Sequence, residues 1–204
     1  PMGTYRGKDI VDLVLKYGKE RGNFGWGIAY HPYPEDLNYP DFYNDRIPKF
    51  YFDTKQITFK NIEVLHAYLA QEDFLYQGQM RPIILSEQGF NSRQDELTEL
   101  QGAAGYTLAY QKMKRLPGIL WMTHHAYMDN PKEFGLHLGI RERNEDGTPG
   151  RKRPIYEAMR DMGTEREAER VAWAKNFIGE ALWQQLECPA VHACDEDRSK
   201  EMDF

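Results

Sequence analysis

The chain has 204 residues, 41% of them hydrophobic, which is enough for one domain with a substantial core. Its 26 Lys and Arg against 32 Asp and Glu leave a net charge of −6, and no basic stretch has the density that a nucleic-acid surface demands. No apolar run approaches the roughly 18 residues of a membrane span, so no membrane span is expected.

Residues 9–19 place Ile10, Leu13, Val14 and Tyr17 on one face of a predicted helix, which Gly22-Asn23 ends. The apolar run 24–30, containing Trp26, reads as a buried strand. Residues 31–48 form a long loop rich in Pro, Tyr, Asp and Asn, and loops of that length inside compact domains are usually functional. A helix over 58–71 carries Ile62, Leu65 and Leu69. Residues 81–86 form the second strand, with Pro82 at its start, where a missing donor is tolerated. A long helix over 95–115 stops before Pro117-Gly118. The third strand spans 119–123, and a second long loop runs over 124–153. Within it, Arg151-Lys152-Arg153 is the single basic cluster and reads as a solvated loop entering a helix. Helices are expected over 155–162 and 165–186, with Trp173 and Trp183 at packing positions. Residues 187–204 are expected to be a flexible tail.

Strands and helices alternate, and each strand is a short apolar run, as in a parallel sheet buried on both faces. The fold class is therefore α/β, with residues 1–186 as one domain. The loops after the strands are longer and richer in polar and aromatic residues than those before them. That asymmetry fits sites built at the carboxyl ends of strands, in a barrel or a doubly wound sheet. Three strands cannot close a barrel, whose full domain needs about 250 residues. The chain is expected to complete itself with an upstream segment or another chain. No glycine-rich phosphate loop follows any strand, and no cofactor is expected.

Glu87 directly follows the apolar run Ile83-Ile84-Leu85-Ser86 and so projects from the end of a strand. A glycosidase nucleophile needs a carboxylate on such a rigid element; the plainer alternative is a structural ion pair. His31 and Tyr33 follow the first strand in the equivalent position. His31 is the better candidate for the site, able to hold the carboxylate ionised, and Tyr33 is a candidate substrate platform. His124 and His125 follow the third strand, and adjacent residues point different ways, so at most one faces a pocket. Trp26 and Trp121, placed inside strands, read as core ahead of sugar platforms. Glu35-Asp36 offer an acid or a helix first turn, and Asn44 and Arg46 offer polar contacts or a solvated loop. A metal site would have to draw on His31, His124 or His125, and His137, but no HxH lies on a strand and no HExxH occurs, so none is expected. Cys188 and Cys194 are close enough in sequence to pair in an oxidising compartment. The start Pro1-Met2-Gly3-Thr4 has no apolar signal core, leaving either a cytoplasmic protein or a signal lying upstream.

Three runs carry a family likeness. Residues 26–37 (WGIAYHPYPEDL), 57–65 (ITFKNIEVL) and 84–90 (ILSEQGF) resemble an uncharacterised bacterial family of clan A glycoside-hydrolase-like (β/α)8 barrels. The likeness extends from about Tyr5 to Trp183. It implies that the strands are the sixth, seventh and eighth of a TIM-type barrel, making this the C-terminal part of one. It implies that Glu87 is the nucleophile ending the seventh strand, with His31 and Tyr33 ending the sixth near it. Trp121, His124 and His125 would then face the sugar from the eighth. The likeness also favours secretion or the periplasm, and a carbohydrate substrate. The clan's general acid/base ends the fourth strand, which this chain does not contain. The expected function is thus a retaining glycosidase, or its C-terminal part. The alternatives are a non-catalytic carbohydrate-binding or remnant barrel module, and a metal-dependent hydrolase.

Overall fold

The computed structural model describes residues 7–193. The expected tail over 194–204, and with it any pairing of Cys188 with Cys194, lies outside the described residues. Helix α1 (Gly7–Glu20) leads into strand β1 (Ile28–Tyr30). A long segment with short 3-10 turns at Phe42–Asn44 and Phe59–Asn61 then enters helix α2 (Ile62–Leu69). Strand β2 (Ile83–Gln88), helix α3 (Glu96–Lys114) and strand β3 (Ile119–His124) follow. A hairpin of β4 (Arg141–Arg143) and β5 (Pro149–Lys152) precedes helices α4 (Pro154–Asp161), α5 (Glu167–Ile178) and α6 (Glu180–Glu187).

The alternating pattern produces a mixed α/β fold around a three-stranded parallel sheet in the order β1-β2-β3. One register row, Tyr30–Leu85–Met122, faces the core formed with α2 and α3, where Leu85, Ile62, Leu69 and Leu108 are fully buried. The adjacent row, Ala29–Ile84–Trp121, lies on the opposite face, where Ala29 and Trp121 are exposed. Burial on both faces, as the apolar runs suggested, therefore does not hold among the described residues: the helices cover one side. A parallel sheet left open on one face is unusual, since crossover helices normally leave no apolar row in water.

The sheet's two edges are flanked by apolar grooves. Beside β1 is a cavity of about 340 Å³ lined by Ile10, Val11, Ile28, Phe52 and Tyr68. Beside β3 lies one of about 310 Å³ lined by Tyr106, Tyr110, Met113, Leu120 and Trp121. Helix α1 is also turned differently from expectation. Val11, Leu15 and Gly18 approach the core, whereas Ile10, Leu13, Val14 and Tyr17 are exposed.

Other departures have local causes. The first strand is shorter than its apolar run, and Trp26 lies before it, under the guanidinium of Arg81 at 3.9 Å. Arg81 is buried and donates to Phe24 O and Asn23 Oδ1, tying the ends of α1 and β2 together. The last helix divides at Gly179, whose φ of 101° suits glycine and not a helix interior. The basic cluster is not a solvated loop. Arg151 pairs with Glu99 and Glu142, and Arg153 is 2% exposed. Part of the expected tail is tied down as well: His192 donates its N–H to Phe50 O at 2.8 Å and accepts from Phe52 N at 3.2 Å. Trp183 is fully buried, and Trp173 stacks on Phe177 with ring centroids 5.6 Å apart.

Candidate functional site

Glu87 belongs to the carboxyl end of β2, the central strand, two residues beyond the last pairing with β1 at Tyr30–Leu85 and next to Gln88, which pairs with His124 of β3. It is half-buried, and its Oε1 accepts a hydrogen bond from the Tyr33 hydroxyl at 2.8 Å. Burial first, then the Glu87 carboxylate to which it donates and the nearby Glu133 charge, push the Tyr33 hydroxyl well above the ordinary tyrosine range. Tyr33 therefore stays protonated and remains a donor. The roles assigned to the loop after β1 are exchanged: Tyr33 contacts the carboxylate, while exposed His31 sits edge-on to the Tyr33 ring at 6.4 Å.

The loop delivers Tyr33 because it is pinned at several points. Glu35 Oε2 accepts from the N–H groups of Arg46 and Ile47, both at 2.7 Å, so Glu35 serves as a backbone clasp. Phe42 is fully buried and packs against Phe59 and Phe90, a rigid aromatic floor beneath the end of β2. Asn44 bonds Asp41 in its own turn, and Arg46 is exposed. Asp45 accepts from Thr58 Oγ1 at 2.8 Å and from Glu35 N at 3.3 Å.

Gly89 permits the next approach. A Cβ there would lie 2.3 Å from the His125 carbonyl oxygen, so any side chain would push the ends of β2 and β3 apart. The same junction carries a hydrogen bond from His125 N to Gln88 O at 2.6 Å, beside a cis peptide between His125 and Ala126. The adjacent histidines diverge as expected. His124 Nε2 donates to Leu138 O at 3.1 Å and its Nδ1 accepts from Gln88 Nε2 at 3.3 Å. Burial, only partly opposed by the Leu138 bond, lowers His124 to about 4, so the ring is neutral and structural at pH 7. His125 instead donates through Nε2 to Glu133 Oε1 at 3.3 Å. Trp121 is 54% exposed on the open face of the sheet, which overturns its reading as a core residue.

Glu87, Tyr33, His31 and His125 thus gather at the strand ends, while Trp121 lies lower on the sheet and His124 faces inward. The four histidines weighed for a metal do not converge: His31 meets Tyr33, His124 meets Gln88 and Leu138, His125 meets Glu133, and His137 meets Asp129. Among the described residues no group of three His, Cys, Asp or Glu is placed to hold a metal ion.

Two features had no signature in the sequence. Glu133 lies in a polar loop with no periodicity to mark it. Asp129, Arg153 and Glu99 come from three distant segments and form a buried ion-pair network below the loop after β3.

A model of a family described as being of unknown function, DUF5722, matches residues 1–186. The chain belongs to this family. No curated protein and no solved structure matches the chain. The DUF5722 match takes in every strand and all but the last residue of the final helix, so the Tyr33–Glu87 contact and the Glu133 loop both fall inside it. Among the described residues of this DUF5722 chain, no helix is long and apolar enough to cross a membrane.

Proposed function

We propose that this chain forms the sixth-to-eighth-strand part of a (β/α)8 barrel and that Glu87 is the nucleophile of a retaining glycoside hydrolase acting on a carbohydrate. The observation that carries the reading is the 2.8 Å hydrogen bond from Tyr33 to Glu87 at the carboxyl end of the central parallel strand. In a retaining mechanism the nucleophile needs one oxygen held and the other free to attack the anomeric carbon. Tyr33 holds Oε1, and its raised pKa keeps it a donor while the carboxylate is ionised. Sites at this end of the strands are the rule in barrels.

The barrel reading draws support from the one-sided sheet. Helices on one face only, an open row at Ala29–Ile84–Trp121 and apolar grooves along both edges suit a sheet that continues in both directions and curls around its bare face. The exposed apolar face of α1 suits a neighbouring helix on the same side. An upstream segment or another chain would supply the remaining strands and the general acid that protonates the leaving group.

The test is covalent trapping. The natural polypeptide is incubated with a panel of 2-deoxy-2-fluoroglycosides bearing good leaving groups, then digested and analysed by mass spectrometry. The reading expects one fluoroglycosyl mass on the peptide containing Glu87. Turnover of aryl glycosides that survives Glu87→Gln unchanged would sink it.

A further inference from the structure

The loop after β3 holds a second carboxylate, Glu133, against His125 at the end of the sheet where Glu87 lies. Glu133 is fixed by two donors on the same oxygen: Asn130 Nδ2 reaches Oε1 at 2.9 Å and His125 Nε2 reaches Oε1 at 3.3 Å. Among the described residues no donor reaches its Oε2, and the side chain is 26% exposed. The link back to the nucleophile is short, since His125 N bonds the Gln88 carbonyl, one residue from Glu87. The Glu133 charge is also near enough to act on the Tyr33 hydroxyl that bonds Glu87. The next residue, Phe134, is fully exposed and held at a φ of 54°, so the same turn presents an aromatic face to water. Among the described residues neither Glu87 nor Glu133 has a Lys or Arg within ion-pair distance.

We infer that Glu133 is a second substrate-contacting carboxylate of the Glu87 site, and that the site takes uncharged or cationic sugars and rejects uronic acids. The inference rests on the carbohydrate reading above. The free oxygen accepts hydrogen bonds from sugar hydroxyls or an ammonium group, and Phe134 offers a surface on which a pyranose ring can stack. A uronate would bring a third carboxylate beside two that have no Lys or Arg within ion-pair distance among the described residues, and like charges disfavour binding there.

Calorimetric titration of the natural polypeptide with gluco-, galacto- and manno-configured 1-deoxyiminosugars, and with the matching uronic acids, tests this. At least one iminosugar is expected to bind, and none of the uronic acids. Glu133→Gln should weaken that iminosugar about tenfold or more, the scale of a hydrogen bond to a charged group. Glu133→Asp should recover part of the loss. Phe134→Ala removes a side chain that buries nothing, so the fold is undisturbed, and it should weaken binding as well. If Glu87→Gln abolishes iminosugar binding while Glu133→Gln and Phe134→Ala leave it within twofold, the inference fails and the Glu87 reading stands. Uronic acids binding as tightly as iminosugars also overturn it. No binding of any iminosugar to the wild-type natural polypeptide overturns both.

Discussion

The guanidinium of Arg153 forks onto the carboxylate of Asp129, with Nη1 to Oδ1 at 2.8 Å and Nη2 to Oδ2 at 2.7 Å. Arg153 also donates to Gly139 O at 2.7 Å and to Glu99 Oε1 at 3.3 Å, while Asp129 accepts from Gly139 N at 2.9 Å. Burial pushes the Asp129 carboxyl up, but the Arg153 fork, Gly139 and His137 more than offset this and hold it below the usual carboxylate range. The pair closes the base of the loop that carries His125 and Glu133. Arg153→Ala leaves the Asp129 carboxylate buried without its counter-charge, while Glu99 keeps Arg151, and is expected to cost about 3–5 kcal/mol of stability. Urea denaturation measures this, and a loss below about 1 kcal/mol would show the network to be dispensable.

Lys112 and Glu63 form a second buried pair at 2.8 Å, joining α3 to α2. Lys112 also donates to Leu186 O at 2.7 Å and Lys60 O at 3.0 Å, so it anchors α6. Burial lowers the Lys112 pKa and raises that of Glu63, each opposed by the partner. Lys112→Met and Glu63→Leu should each destabilise by several kcal/mol, because each strands a buried charge. The double variant should lose less than the sum of the two. A double-mutant cycle in urea reads the coupling, and additive losses would contradict it.

Asp45 is raised to about 7, chiefly by burial, against the opposing bonds from Thr58 and Glu35 N and helped by the Glu35 charge. The folded chain keeps its proton over a window, from the ordinary value of 3.8 up to about 7, in which the unfolded chain has already released it. The contribution of Asp45 to stability is therefore present at low pH and lost as pH rises through that window. Asp45→Asn mimics the protonated form. It should be more stable than wild type at pH 8, with the difference vanishing near pH 4. Thermal denaturation at pH 4, 6 and 8 tests the trend, and an equal difference at every pH would exclude Asp45 as its source.

Tyr33→Phe removes the hydrogen bond to Glu87 Oε1 while keeping the aromatic ring. Under the proposed function, kcat/KM should fall about ten- to hundredfold, the scale of a hydrogen bond to a charged group. Thermal stability should change little, because Tyr33 is only half-buried. Unchanged kcat/KM with the natural polypeptide would remove Tyr33 from the site.

The order of strands and helices was readable from periodicity, because continuous apolar runs and 3.6-residue spacing are local properties. So was the position of Glu87 at a strand end, since it follows the run Ile83-Ile84-Leu85-Ser86 directly. The hairpin β4–β5 was not readable. Its strands are short and carry Arg, Glu and Lys, and Arg151 is placed by Glu99 of α3 and by Glu142 across the hairpin.

Glu87 thus stands where its own neighbours in the sequence put it, but its partner does not. Whether His31 or Tyr33 reached the carboxylate depended on the path of a loop pinned by Glu35, Phe42 and Asp45. Those contacts span 10 to 12 residues at the clasps and 54 at Tyr33 itself, beyond the reach of any local pattern. Glu133 was hidden for the same reason. A polar residue in a polar loop has no periodicity, and only the tertiary structure sets it beside His125. The exposed row at Ala29 and Trp121 is the same lesson in apolar residues: their hydrophobicity predicts burial, while which surface buries them is settled by what packs against the sheet.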